Sequence, residues 1–136
     1  MEIRYTLENS FASITYEPAA DCGVFTYKRF GTSEEFRNSW AIATELAAHR
    51  RIHKWLFNSI RMEVLRPEDQ DWFVGVIAPQ LRASSSKTVH VAVVVSENAF
   101  SQLSMTNIIH AVEQEQGAVF EHFDSEEKGL EWLKAR

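Results

Sequence analysis

Three carboxylates crowd one short stretch of this 136-residue chain, Glu68, Asp69 and Asp71, directly after Pro67. On a helix Glu68 and Asp71 stand one turn apart, a spacing at which two carboxylates can share acid–base work. The same residues also suit a helix start, where the positive end of the macrodipole draws acidic side chains and proline has no donor to lose. No perturbing partner is visible in the sequence, so they read as structural carboxylates. Ser59 has no base, oxyanion motif or phosphate loop beside it. Of the five histidines, His49 and His53 are four apart, the spacing of two ligands on one helical face. Lys54-Trp55-Leu56 begins a strand directly afterwards, so the helix should end between them, and no metal site is expected. Cys22 is the only cysteine, which excludes an intramolecular disulfide and a thiolate cluster; with no base nearby it reads as a buried or idle thiol. The expectation is a chain that is not an enzyme and carries neither metal nor cofactor. A hydrolase or transferase built on Ser59 or the acidic cluster is the catalytic alternative.

Composition bounds the rest. The chain is 45% hydrophobic and 24% charged, with a formal net charge of −5. That is a globular composition, and the negative balance disfavours a nucleic-acid partner, which needs clustered Lys and Arg. The one basic run, His49-Arg50-Arg51-Ile52-His53-Lys54, is short and reads as a solvated connector. No apolar run follows a basic N-terminus, and none approaches the length of a membrane span, so a cytoplasmic chain without membrane insertion is expected.

The elements that must position any site follow from periodicity. Phe11–Tyr16 and Val24–Phe30 read as two strands joined by a turn at Glu17-Pro18-Ala19-Ala20-Asp21, and such neighbours pair antiparallel. Thr32-Ser33-Glu34-Glu35 is a capping box, and Phe36, Trp40, Ala43 and Ala47 lie on one face of the helix after it, which should run to about His49. Trp55-Leu56-Phe57 is an apolar strand buried on both sides. Pro67 opens a helix with Phe73, Val76 and Ile77 on its apolar face, and Pro79 should end or kink it. Val89–Val95 should be a central strand. Met105, Ile108, Ile109 and Val112 mark a third helix, Val119–Phe123 an edge strand, and Ser125 caps a last helix carrying Leu130 and Leu133. The order β-β-α-β-α-β-α-β-α implies one α/β domain over residues 1–136, with a mixed five-stranded sheet and right-handed crossovers.

This order resembles the STAS domain, whose first strand runs antiparallel to the others. Two segments look specifically like the small bacterial SpoIIAA-like relatives: Lys54-Trp55-Leu56-Phe57-Asn58-Ser59 leading to Arg66-Pro67-Glu68-Asp69-Gln70-Asp71-Trp72, and Val91-Ala92-Val93-Val94-Val95-Ser96-Glu97-Asn98-Ala99-Phe100. The resemblance implies a non-enzymatic regulatory or docking module. Relatives resembling the anti-sigma-factor antagonists carry a phosphorylated serine after the third strand. Here that first turn, Arg66 to Asp71, has no serine, and Ser59 lies earlier. The sheet also resembles CRAL-TRIO domains, which implies the alternative of a carrier for a small apolar or lipid-like ligand.

Ligands of open α/β sheets gather at the carboxyl ends of the parallel strands. The candidate surface for a protein partner or small ligand is therefore the loop from Asn58 to Arg66, with Ser59, Arg61 and Met62, together with Ser96, Asn98 and Phe100 after the next strand. Ser84 to Ser86 fall at the opposite end of the sheet and are discounted. Four tryptophans and nine phenylalanines are many for this length. A homodimer through an exposed patch of Phe100, Met62 or Trp132 is accordingly expected as one form of partner binding.

Overall fold

The computed structural model describes residues 6–62, 65–95, 99–114 and 117–136, with the side chains of 99–101 outside the description. Six strands form one mixed sheet in sequence order: β1 (Leu7–Glu8), β2 (Ala12–Glu17), β3 (Cys22–Tyr27), β4 (Lys54–Asn58), β5 (Val89–Val94) and β6 (Ala118–Phe123). The first three pair antiparallel and β3 to β6 pair parallel. The expected five strands are corrected to six. The addition is β1, two residues that pair Leu7 with Ile14 and Glu8 with Ser13. A strand that short has no periodicity to detect. It is set by a local turn in which Asn9 Oδ1 accepts from the backbone N–H of Phe11 and Ala12, at 2.8 and 2.9 Å. Strand β5 is paired on both sides, one strand in from the β6 edge.

Helix α1 (Ser33–Arg50) starts on the expected capping box: Thr32 Oγ1 accepts from Glu35 N–H at 3.1 Å, and Glu35 Oε1 accepts from Thr32 N–H at 3.0 Å. It ends at Arg51, left-handed at φ 53°, whose N–H closes onto Ala47 O, so His49 and His53 do not share a helix. After β4, α2 (Pro67–Trp72), a π-helical turn (Phe73–Ile77) and α3 (Ala78–Ala83) follow without interruption. Pro79 does not end this run. Ala78 N–H donates to Phe73 O across the π turn, and Pro79 follows directly in the first turn of α3, at the point where the bonding changes register. Helices α4 (Ala99–Glu113) and α5 (Glu126–Lys134) follow β5 and β6, and Ser125 Oγ caps α5 by accepting from Lys128 N–H.

The period-2 alternation of the strands splits the core in two. On one face Phe25, Tyr27, Trp55, Phe57, Val91 and Val93 pack under α1 to α4, and on the other Cys22, Val24, Leu56, Ala92 and Val94 meet Leu133 of α5. Sequential strand order with right-handed crossovers puts every crossover helix on the same side. Helix α5 thus has the other face to itself. Gly129 lets it approach closely, because a Cβ there would stand 3.0 Å from Leu56 Cδ1 and 3.3 Å from Ala92 Cβ. Lys54, buried beneath it, donates to Leu133 O at 3.2 Å and so caps a carbonyl at the helix's negative end.

Gly23 answers a different demand. It pairs with Trp55 across β3 and β4, and a Cβ there would lie 2.5 Å from the Trp55 ring. Trp55 is fully buried and has nowhere to retreat. Gly23→Ala should therefore cost about 2 kcal/mol by overpacking. Urea unfolding followed by tryptophan fluorescence measures this, and an unchanged midpoint would show that the ring can yield.

Candidate functional site

The carboxyl edge of the parallel strands is built from the start of α1, the β4–α2 connection and the start of α4. The structure places the expected residues there unequally. Asn58, at the end of β4, has its side chain committed: the amide donates to Glu126 Oε2 of α5 at 2.9 Å, and Oδ1 accepts from Ile60 N–H at 3.2 Å. Ser59 is buried, with its hydroxyl donating to Val94 O at 2.7 Å. It ties β4 to β5 and offers no accessible hydroxyl. Met62 is buried in the main core and belongs to no exposed patch, contrary to expectation. Trp132 is half-buried, against His90, Phe123 and Arg136. Arg66 donates to Gly31 O at 2.8 Å and lies over the Phe30 ring at 4.6 Å, so it braces the edge from within. Arg61 is exposed and has no ion-pair partner among the described residues. Ser96 and Asn98 lie outside the described residues, as does the side chain of Phe100, whose backbone is in α4.

The centre of this edge is Asp69, which is fully buried. Its carboxylate accepts from Ser33 Oγ at 2.8 Å and from Arg37 Nε at 3.2 Å, with Arg66 Nη1 at 4.0 Å. A carboxylate can be held dry only when its lone pairs are met in this way. The structural reading of Asp69 holds, and its partners lie on α1, 32 and 36 residues away, where no local pattern reveals them. Beside it Arg29 grips Glu35 through both nitrogens, at 3.1 and 2.6 Å. That bidentate contact, helped by the Thr32 N–H, draws the Glu35 carboxyl down to about 2.

With these groups locked together, the crevice between α1 and the β4–α2 connection encloses only about 10 Å³. That the described residues of this edge enclose so little fits a rule that depends on a topological switch point, where neighbouring crossovers diverge to opposite faces. Here β3 to β6 follow in order, and all their crossovers lie on one face. Among the described residues its exposed apolar side chains are Phe30 and Ile60, at 40% and 49%, with Arg61 next to Ile60 and the carboxylates of Glu34 and Glu68 exposed at the two helix starts.

The roomy concavity is at the other end. A cleft of about 760 Å³ opens between the end of α1, the β2–β3 turn and the α3–β5 loop, lined among others by Asp21, Arg51, His53, Ser85, Ser86 and Lys87. It joins two stretches set aside in the sequence, the basic run and the serine loop. The signal available was topological: both are helix-to-strand connections, so both must reach the amino edge. Burial first, then Lys87 and Lys54, hold the His53 imidazole below its ordinary range. Cys22 is buried, and that burial pushes its thiol up to about 12, far from a nucleophile's range.

Compared with protein-family models, curated proteins and solved structures, the chain matches none.

Asp69→Ala should destabilise the fold by about 3 kcal/mol, because it strands Arg37 and Ser33 and opens the junction of α1 and α2. A loss under about 1 kcal/mol in urea unfolding would remove Asp69 from its central place. Glu35 supplies a pH signature. Its folded-state pKa lies below its unfolded value, so its contribution is complete above the model-peptide range and is lost as pH falls through about 2. Wild type and Glu35→Gln should accordingly differ in stability at neutral pH and converge in acid, and a pH-independent difference would contradict the Arg29 pairing.

Proposed function

We propose that this chain is a non-enzymatic docking module of STAS-like type, which binds a protein partner at the carboxyl edge of its parallel strands. The observation that carries the reading is the state of that edge. Among the described residues Asn58, Ser59, Arg66 and Asp69 are engaged in internal bonds, the crevice between α1 and the β4–α2 connection is small, and Phe30, Ile60 and Arg61 are exposed, Arg61 with no ion-pair partner among those residues. Exposed apolar side chains with a cation beside them suit a protein segment that brings apolar and acidic side chains together. The architecture also supports it: an antiparallel lead-in followed by four parallel strands corresponds to the order that the resemblance implies. Catalysis finds no support, since Ser59 and Asp69 are both buried in bonds that hold the fold. A carrier of apolar ligands is likewise disfavoured. The crevice lined by Phe57, Phe73, Leu81, Val91, Val112 and Phe120 has about 20 Å³, room for roughly one water.

The test uses Ile60→Asp with Arg61→Glu, and Val76→Asp as a control on an exposed apolar residue elsewhere. Each variant is immobilised, captured proteins are quantified, and the leading one is purified and titrated directly. Direct affinity should fall at least about tenfold for the edge variant and stay unchanged for the control. Equal affinity for both, or no protein that binds the purified wild-type chain, defeats the reading. Arg66 is avoided because its loss would loosen the edge itself.

A further inference from the structure

The amino-edge cleft stands apart from the docking edge in place and chemistry. Arg51 enters it from the end of α1 and Lys87 from the α3–β5 loop, and neither has an ion-pair partner among the described residues. In a chain of net charge −5, two unpaired cations around one concavity are against the average. Asp21 is the one carboxylate of the described lining, and its Oδ1 already accepts the Tyr16 hydroxyl. The two non-glycine residues with left-handed backbone among those described, Asp21 at φ 51° and Arg51 at φ 53°, both line this cleft. Glycine is the usual residue at a left-handed helix end, because a side chain there costs about 1 kcal/mol. The sequence places arginine there instead.

Helix polarity supplies a competing explanation. The C-termini of α1 and α3 both face this edge, and cations at such ends are favourable in themselves. That accounts for Arg51. It does not account for Lys87, which lies beyond the last turn of α3, nor for the concave space between the two.

We propose that this cleft binds a small phosphate-bearing anion, held by Arg51 and Lys87 from two walls, with the Ser85 and Ser86 hydroxyls as further donors. A monocarboxylate would satisfy one cation and leave the other. A phosphate or pyrophosphate group has acceptor oxygens enough for both, and the guanidinium fork matches two of them at once. The volume lies in the range that small-molecule sites occupy. Ser85 Oγ accepts the Lys87 amide at 3.2 Å, which orders the loop and leaves the hydroxyl proton to donate. His53 reports occupancy. It faces Lys87, Lys54, Asp21 and His90, and the cations outweigh Asp21 when the cleft is empty of anion. A bound dianion reverses that balance and favours the imidazolium.

The test is an NMR titration of the full chain with pyrophosphate at low ionic strength, against sodium chloride matched in ionic strength. Wild type is compared with Arg51→Gly/Lys87→Gln and with Lys134→Gln. Glycine suits the left-handed backbone at position 51, so the double variant should keep the fold, which its own spectrum checks. In wild type, saturable shifts should gather at residues 51–53 and 84–87, and the His53 ring should titrate at higher pH with pyrophosphate bound. Affinity should fall at least about tenfold in the double variant and be unchanged in Lys134→Gln. Shifts spread over surface lysines generally, an unmoved His53 titration, or equal affinity in the double variant would each overturn the proposal. A phosphate group from a membrane lipid is separated from a free one by repeating the titration with vesicles of phosphatidic acid: binding to vesicles with no response to pyrophosphate also overturns it.

Discussion

Trp40 lies buried where α1 crosses the sheet, and its indole serves three elements at once. It stacks on Phe25 of β3 at 4.3 Å between centroids and 10° between planes, and it meets Phe57 of β4 and Phe73 of the π turn edge to face, at 5.1 and 4.8 Å. The indole N–H points to the Tyr27 hydroxyl, 3.4 Å away. Each such aromatic pair contributes about 1 kcal/mol beyond the area it buries, but the larger effect is positional. With Trp40 fixed, α1 can neither slide nor roll, so its first turn is held at the carboxyl edge and Arg51 is held at the amino edge. The state of both edges follows from that one placement.

Burial of charge then decides which polar groups remain outside. Asp69 and Lys54 are buried at opposite sides of the sheet, and each is held there by hydrogen bonds to a helix. Asp69 takes hydrogen bonds from two residues of α1, and Lys54 gives one to the last turn of α5. An ion stripped of water without such contacts would cost several kcal/mol. These bonds join segments far apart in the chain, so they fix helix positions as well as charges. They also remove groups from function. Ser33, Arg37 and Arg66 are engaged by Asp69 and its surroundings. Arg61, Arg51 and Lys87 have no ion-pair partner among the described residues.

What the sequence made legible were features whose causes are local. The Thr32–Glu35 box, the Phe36–Trp40–Ala43–Ala47 face, Pro67 at a helix start and the apolar runs of β4 and β5 each depend on residues a few positions apart, where periodicity and capping chemistry act. The misses have non-local or sub-threshold causes. Strand β1 is two residues long, held by a turn at Asn9. Met62 looks like a surface residue in a polar loop, yet the fold turns it into the core. The helix passes Pro79 because a π turn shifts the bonding by one residue, which composition alone does not disclose. The hydrogen-bond partners of Asp69, Ser33 and Arg37, are more than thirty residues away. The candidate loop lies at the carboxyl edge, and of its described members Ile60 and Arg61 are exposed while Asn58, Ser59, Met62 and Arg66 are engaged in the fold.

The contrast between the two edges has a topological cause. A sheet forms a crevice at its carboxyl edge where successive crossovers part to opposite faces, and a sheet whose parallel strands follow in sequence order never parts them. Its carboxyl-edge loops lie side by side and pack on one another, and the Asp69 and Glu35 clusters are what that packing looks like in side chains. The amino edge has no such continuity. There the end of α1, the β2–β3 turn at Asp21 and the α3–β5 loop line an open cleft and do not close on each other. A gap between helix ends is lined by carbonyl-rich termini that favour cations. Cations drawn there for that reason, with Asp21 the one carboxylate of the described lining and already bonded to Tyr16, are in turn available to an anion. The same sequential order that plugs one edge thus leaves the other both open and basic.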